Sequence, residues 1–312
     1  MTTSARRVGI DVGGTKCLAL CLDGDLQVVG EARRPTPKGP DAIIDTLVGL
    51  AEELAPFDTI GIGVPGLVTM DGTLRAAPNL VDVRDFQVGR LLSERLGVEV
   101  HADNDATCAA VAEWKRGVAR GSDDFVMVTL GTGIGGGVVA GGRLVRGANG
   151  FTGEIGHMVV DPTGPPCPCG RRGCWERYAS GSGLGRLARD AAAAHRLTRV
   201  VETAGSVDDV RGEQLAVAAR EGDLEALEVF DEFGRWVALG LVNLTNLLDP
   251  GLLVLGGGLA ASKDLSSGPI RRWFAELLYA PELRPHPRLE FAEMGERAGA
   301  IGAALLPVVH AL

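Results

Sequence analysis

The sequence predicts an α/β protein of about two domains. Three observations carry this. The chain has 312 residues, roughly two domains by the usual length relation. Its first hundred or so residues alternate short runs of Val, Ile and Leu with a stretch of helical periodicity. Its second half then reopens with the same order of strand, Gly-rich turn and strand.

The elements follow in order. Residues 6–11, 16–22 and 26–33 are rich in Val, Ile and Leu and are separated by the turn-prone GGT and DGD, which suits an antiparallel meander. Over 41–55, Ile43, Ile44, Leu47, Leu50, Ala51 and Leu54 recur at helical spacing. TIGIGVPG at 59–66 reads as a short buried strand entering a tight loop, and 67–87 as irregular. A helix near 88–96 and a strand at 98–102 follow, and NDATCAAVAEWKRG starts a helix at about Asn104. The pattern breaks at RGVARGSDD, which places a boundary near residues 117–122.

DFVMVTLGTGIGGGVVAGGRLVRG then repeats the opening arrangement, with GIDVGGTKCLAL lying loosely over VTLGTGIGGGVV. This hints at duplicated architecture without a strict repeat. Helices are expected at about 180–195, 212–221, 223–248, 263–279 and 298–309, with strands at LLVLGGG and near 288–292.

Composition limits the function. Hydrophobic residues make up 46% of the chain, enough for substantial cores, and the net charge is -9. An acidic chain argues against a nucleic-acid partner, which asks for a basic face. MTTSARR leads straight into VGIDV, unlike a secretory signal peptide. No window reaches the ~18 uncharged apolar residues of a membrane span. A cytoplasmic protein without a membrane partner is therefore expected. In that compartment, clustered cysteines suggest metal or catalysis before disulfides.

Three of the six cysteines, Cys167, Cys169 and Cys174, stand at C-x-C-x4-C spacing, with His157 ten residues before the first. Zinc favours four N or S ligands in a tetrahedron, and short loops between ligands keep closure cheap in entropy. One histidine and three cysteines therefore read as a closed structural zinc site. Reduced or disulfide-bonded surface cysteines are the alternative, and C-x-C rarely meets disulfide geometry. A closed site would also pin the segments that carry Glu154 and Glu176.

GTGIGG at 131–136 and GIGVPG at 61–66 both match G-x-G-x-x-G. A dinucleotide fingerprint needs a helix to begin within it, whereas Val138 and Val139 continue as strand. Glycine amides in a hairpin turn can instead approach phosphate closely. DVGGTK at 11–16 follows the same logic: Gly13, Gly14 and Thr15 offer amides and a hydroxyl, and Asp11 can hold magnesium, if only through water. A bare hairpin turn is the alternative reading there. GGGLA at 256–260 is a third such turn at a strand end. At HADNDATCAA, one of Asp103, Asn104 and Asp105 suffices as helix cap. The others are free to face a cleft, where an Asp can take a proton from an attacking sugar hydroxyl.

DVGGTK, DNDA, GTGIGGG, GEIGH and CPCGRRGCWE occur in an order that resembles the ROK family of sugar kinases. The likeness runs from Asp11 to the terminal helix. Cys167 to Glu176 fit C-x-C-G-x-x-G-C-x-E at every fixed position. The resemblance implies the two-domain actin-like ATPase (ribonuclease H-like) fold, with a cleft between a small domain, 1–118 joined by helix 298–312, and a large zinc-bearing one, 119–297. It implies ATP-dependent phosphorylation of glucose at the 6-hydroxyl, with Asp105 as general base. Gly66, Asn79, Asn104, Glu154, His157 and Glu176 resemble sugar-binding residues. Asp11, Gly13, Thr15, Lys16, Thr132, Gly133, Gly257 and Gly258 resemble the ATP and Mg2+ side. His157 then serves zinc through one ring nitrogen and sugar through the other. A homodimer or homotetramer is implied as well.

Rival readings fit some of the same residues. Another hexose, such as mannose, fructose or N-acetylmannosamine, fits the same motifs. A sugar-sensing repressor of the family would carry a helix-turn-helix before the DVGGT strand, where only about five residues stand. A dehydrogenase conflicts with the strand after the glycines. Cys17, Cys21 and Cys108 read as small buried hydrophobes and His101 as structural. His195, His286 and His310 read as solvated, and Arg171 and Arg172 as exposed.

Overall fold

The computed structural model describes residues 5–77, 80 and 83–310. Asn79 lies outside them. The chain forms two compact units. The first comprises Met1–Met127, Gly136–Gly153 and Ala292–Leu312, and the second Val128–Gly135 and Glu154–Phe291. The division differs from the expected break after residue 118. The far end of the 134–140 strand and the loop after it belong to the first unit, where Gly137 abuts Ala110 and Gly150 abuts the backbone at Val68 and Thr69.

The elements begin with β1 (Arg7–Val12), β2 (Lys16–Leu22), β3 (Val28–Pro35), α1 (Pro40–Glu53) and β4 (Thr59–Val64). Next come β5 (Leu67–Val68), β6 (Leu74–Ala76), β7 (Arg84–Phe86), α2 (Val88–Leu96), β8 (Val100–Asn104) and α3 (Asp105–Lys115). After β9 (Phe125–Leu130), β10 (Ile134–Ala140) and β11 (Arg143–Leu144) the chain turns helical: α4 (Glu176–Ala179), α5 (Gly181–Ala193), α6 (Thr198–Ala204), α7 (Gly212–Arg220) and α8 (Leu224–Leu248). It closes with β12 (Leu252–Gly256), α9 (Lys263–Leu277), β13 (Arg288–Phe291) and α10 (Ala298–His310).

The first sheet has the order β3-β2-β1-β4-β8. β1, β2 and β3 pair antiparallel, as the meander predicted, while β4 and β8 continue in parallel with β1. The second sheet runs β11-β10-β9-β12-β13. Numbered within each sheet, both orders are third, second, first, fourth, fifth. The loose repeat in sequence is thus a repeated topology.

Two local readings change. Residues 67–87 hold a small sheet, β5-β6-β7, whose strands of two and three residues are too short to show alternation. Helix α6 was not expected either. It starts after Leu197 in the left-handed region, with no side-chain cap, so no start signal precedes it.

Helix α10 belongs to the core of the first unit. Its run of Ala and Gly lets it lie directly on the sheet: a Cβ on Gly61 of β4 would overlap the backbone of Ala303. The parallel strands β1, β4 and β8 end on one edge, and that edge carries Asp11, the Val64–Gly66 turn and Asn104–Asp105.

Candidate active site and metal centre

In parallel sheets ligands gather at the carboxyl ends of the strands, and in the first unit the expected residues lie there. At the end of β8, Asn104 is the residue that caps α3. Its Oδ1 accepts from the amides of Ala106 at 2.8 Å and Thr107 at 3.2 Å. Its Nδ2 donates to the carbonyl of Gly66 at 3.1 Å. One amide hydrogen is left for a ligand. Gly66 has φ +104°, and a Cβ there would overlap the carbonyl of Ala76. Only glycine makes this turn. Asp105 opens α3, and its Oδ1 accepts from the Ala106 amide at 2.8 Å.

Asp103 does not face a cleft. It is 1% exposed, its Oδ1 accepts from the Asn104 amide at 2.8 Å, and its Oδ2 pairs with Arg146 and His310. The solvated reading of His310 is corrected with it, because α10 brings this half-buried ring onto the carboxylate.

Asp11 ends β1. Burial pushes its carboxyl from 3.8 up to about 7; the charge of Asp105 adds to the rise and Lys16 opposes it. Two carboxylates that repel each other in a confined place suit a divalent cation. The β1–β2 turn is a tight hairpin in which the Gly13 amide donates to Lys16 O at 2.9 Å and Thr36 Oγ1 donates to Gly13 O at 2.6 Å. Thr15 and Lys16 are exposed. Lys16 Nζ rests 2.8 Å from Glu296, which Arg33 also holds at 2.9 Å.

In the second unit, His157, Cys167, Cys169 and Cys174 converge, with one donor atom of each within 4.8 Å of the others. Local backbone explains this. Cys167 N donates to Arg171 O and Gly170 N to Cys167 O, folding the loop into a knuckle. A bridge between Val159 and Cys174 lays the histidine segment beside it. Cys169 Sγ and Cys174 Sγ are 3.5 Å apart, and Cys167 Sγ is 3.8 Å from His157 Nδ1. Bonds of about 2.0–2.3 Å around a tetrahedral ion imply edges of roughly 3.3–3.8 Å, so the donors fit a metal with N and S ligands. None of the six cysteines is disulfide-bonded, and Cys17, Cys21 and Cys108 are buried as expected.

The metal-site residues bracket two carboxylates. His157 Nε2 lies 3.8 Å from Glu154, and Nδ1 lies 3.7 Å from Glu176. Cys167 Sγ donates to Glu176 Oε1 at 3.1 Å. Burial raises the pKa of Glu154; His157 opposes the rise and Glu176 reinforces it. Glu176 starts α4 directly after Trp175, which is fully buried and donates from Nε1 to Trp236 O at 2.8 Å. Helix α8 therefore anchors the segment that carries Glu176.

The GTG turn docks on α5: Gly181 N donates to Gly131 O at 2.8 Å and Ser182 Oγ to Thr132 O at 2.8 Å. Thr132 is exposed. Gly133 lies against Glu176, close enough that a Cβ would sit 2.7 Å from its Oε2. Gly257 and Gly258 follow β12 and are exposed; a short 3-10 turn, Gly258–Ser262, leads into α9.

Sequence reasoning passed over Arg146 and Glu113. Each acts through partners far along the chain, and no local motif marks it.

The fold and these motifs define a sugar-kinase type of α/β protein. Residues 7–308 match the ROK family, and the chain belongs to it. The glucokinase of Streptomyces coelicolor is 37% identical, over 95% of this chain and 96% of its own. The N-acetylmannosamine kinase of Salmonella typhi is 34% identical, over 98% of each. Among solved structures, a ROK family glucokinase from Streptomyces griseus in complex with glucose and AMPPNP is 36% identical. It covers 99% of this chain and 100% of its own, with a TM-score of 0.86. No helix of the described residues is long and apolar enough to cross a membrane.

Proposed function

We propose that this chain is an ATP-dependent glucokinase, transferring the γ-phosphoryl group of ATP to the 6-hydroxyl of glucose. The observation that carries the reading is full-length likeness to glucokinases, including one seen with glucose and AMPPNP. In the reaction the sugar O6 bonds to the γ-phosphorus, the bond to the β–γ bridging oxygen breaks, and Asp105 takes the O6 proton. Such transfers depend on positioning and charge more than on covalent chemistry.

The residue roles follow the same reading. Asn104 offers its free amide hydrogen to a sugar hydroxyl, and the Gly66 turn that it braces lines the sugar. Glu154, His157 and Glu176 bind sugar hydroxyls, with Asn79 as a further candidate. Gly13, Thr15, Lys16, Thr132, Gly133, Gly257 and Gly258 line the nucleotide. Asp11 sits where it can hold magnesium, which when bound screens phosphate charge. We assign the ion of the His157, Cys167, Cys169 and Cys174 centre as zinc, on the match of soft thiolates and imidazole to tetrahedral spacing. A zinc ion held by these four residues would fix the orientation of the His157 ring and would leave its other nitrogen for the sugar. The assembly is a homodimer or homotetramer, which sedimentation equilibrium measures.

The test is ADP release with Mg-ATP and a panel of hexoses. Glucose is expected far above mannose, fructose and N-acetylmannosamine. Preferred turnover of N-acetylmannosamine, the second reading on the strength of the Salmonella typhi relative, would reassign the substrate and keep the mechanism. No turnover of any sugar would discard the kinase reading.

A further inference from the structure

The first unit contains a buried charge cluster to which the phosphoryl transfer assigns no role. Asp103 is 1% exposed. Arg146, from the loop after β11, brings Nε to 2.8 Å from its Oδ2, with the Arg side chain 10% exposed. His310, from the end of α10, brings Nε2 to 3.3 Å of the same oxygen. Neither approach is aligned as a hydrogen bond; the guanidinium acts on the carboxylate through its charge, and the imidazole stands beside the same oxygen. The hydrogen bonds of the guanidinium go elsewhere: NH2 donates to Thr69 O and NH1 to Met70 O, both at 3.3 Å.

One guanidinium thus joins three places. It pairs with the end of β8, it holds the turn after β5, and it belongs to the loop after β11. Only β5 separates the turn it holds from Gly66. The carboxylate it pairs with accepts the backbone amide of Asn104, the residue that caps α3 and ties back to Gly66. Asp105 is the next residue. Asp103 thus braces, through the Asn104 amide, the strand end from which Asp105 starts the helix.

We propose that Arg146 is a positioning residue for the phosphoryl transfer. Through Asp103 it fixes the backbone at Asn104 and Asp105, and through Thr69 and Met70 it fixes the turn beside them. The proposal rests on the reading of Asp105 as general base. A buried pair of this kind adds little net stability compared with apolar packing, and its geometry serves orientation. The chemistry predicts a loss in rate rather than in sugar affinity, because a base displaced by a fraction of an ångström no longer meets the proton it must take.

The test uses the full-length, metal-loaded protein with glucose and Mg-ATP. In Arg146→Met, kcat is expected to fall roughly 10- to 100-fold, the scale of a small misplacement, with the glucose KM changed less than about threefold. Arg146→Lys restores the charge facing Asp103 and is expected to recover most of kcat. A purely structural role would instead lower stability and active fraction, so kcat is taken per titrated active site, and under that role it stays at the parent value in both variants. If Arg146→Met does not fold, because it strands a buried carboxylate, the double variant Asp103→Asn with Arg146→Met removes both charges and keeps the Asn104 acceptor. Its kcat is expected to stay depressed. A double variant within twofold of the parent in kcat overturns the proposal, and so does a raised KM at unchanged kcat. Asp105→Ala is measured alongside. Near-normal turnover in that variant discards the base assignment itself, independently of what the Arg146 variants do.

Discussion

Asp105 and Asp11 share one sheet edge, and the proposed reading gives them different work. Asp105→Ala is expected to lower kcat by roughly 10²- to 10⁴-fold, the range for loss of a general base, and to weaken glucose binding much less; a coupled ADP assay with a glucose titration separates the two. Asp11 is held protonated up to about pH 7 by burial and by its neighbour. Its folded pKa lies above its unfolded value, so the folded state binds more protons between about pH 4 and 7, and the contribution of Asp11 to stability declines as pH rises through that window. In magnesium-free protein, Asp11→Asn should match the parent near pH 4 and grow more stable than it towards pH 8. The gap should reach a few kcal/mol at most, since it widens by no more than about 1.4 kcal/mol for each pH unit crossed. Urea unfolding at several pH values reads this directly, and an unchanged difference across the range would contradict it. These carboxylates were legible because each sits in a motif at a strand end. The role of Asp103 was not: its partners Arg146 and His310 lie far away in sequence, and a capping signature at DND gives no hint that one of its three residues turns inward.

At the level of elements, strongly periodic segments could be read and short ones could not. Helix α8 and the three-stranded meander announce themselves by apolar spacing, whereas β5, β6 and β7 become strands only through one another. Helix α3 holds a further case. Glu113 is fully buried, and its two oxygens accept from the amides of Glu293 and Met294 at 2.8 Å and Val118 at 3.0 Å. A charged residue in a helix normally reads as solvent-facing, so sequence alone hides this clamp. It ties the helix that begins with Asp105 to the segment before α10. Glu113→Ala leaves three amides without their acceptor, and at about 1–3 kcal/mol for a stranded buried group a loss of roughly 3 kcal/mol or more is expected by denaturant unfolding. Glu113→Gln keeps an acceptor and should lose less. Equal losses would show that packing, rather than these hydrogen bonds, sets the cost.

Across the whole molecule, the cysteine cluster was the most legible feature, because ligand spacing is a local property of sequence. Its consequence is tested by removing the metal. Treatment with a strong zinc chelator is expected to release close to one zinc per chain, lower the thermal midpoint, and abolish turnover, with activity returning on adding zinc back. Cys169→Ser should reproduce the loss without chelator. Full activity of metal-free protein would detach His157 from the reaction. The division into units was the least legible feature. It depends on which distant segments pack together, as Gly137 does on α3 and α10 on β4.

That last arrangement has a temporal side. The first unit takes its strands from the start of the chain and its core helix from near the end; the ion pair between Lys16 and Glu296 joins residues 280 apart. During synthesis, β1 and β4 emerge early with the glycine-lined face that receives α10 still bare. The unit that carries Asp105 cannot mature until α10, which begins at Ala298, has been translated. Contacts of such long range are slow to form, and the waiting sheet offers apolar surface to other chains meanwhile. Nascent chains should therefore depend on chaperones for most of their time on the ribosome, and stalled chains that end before Ala298 should be found bound to them.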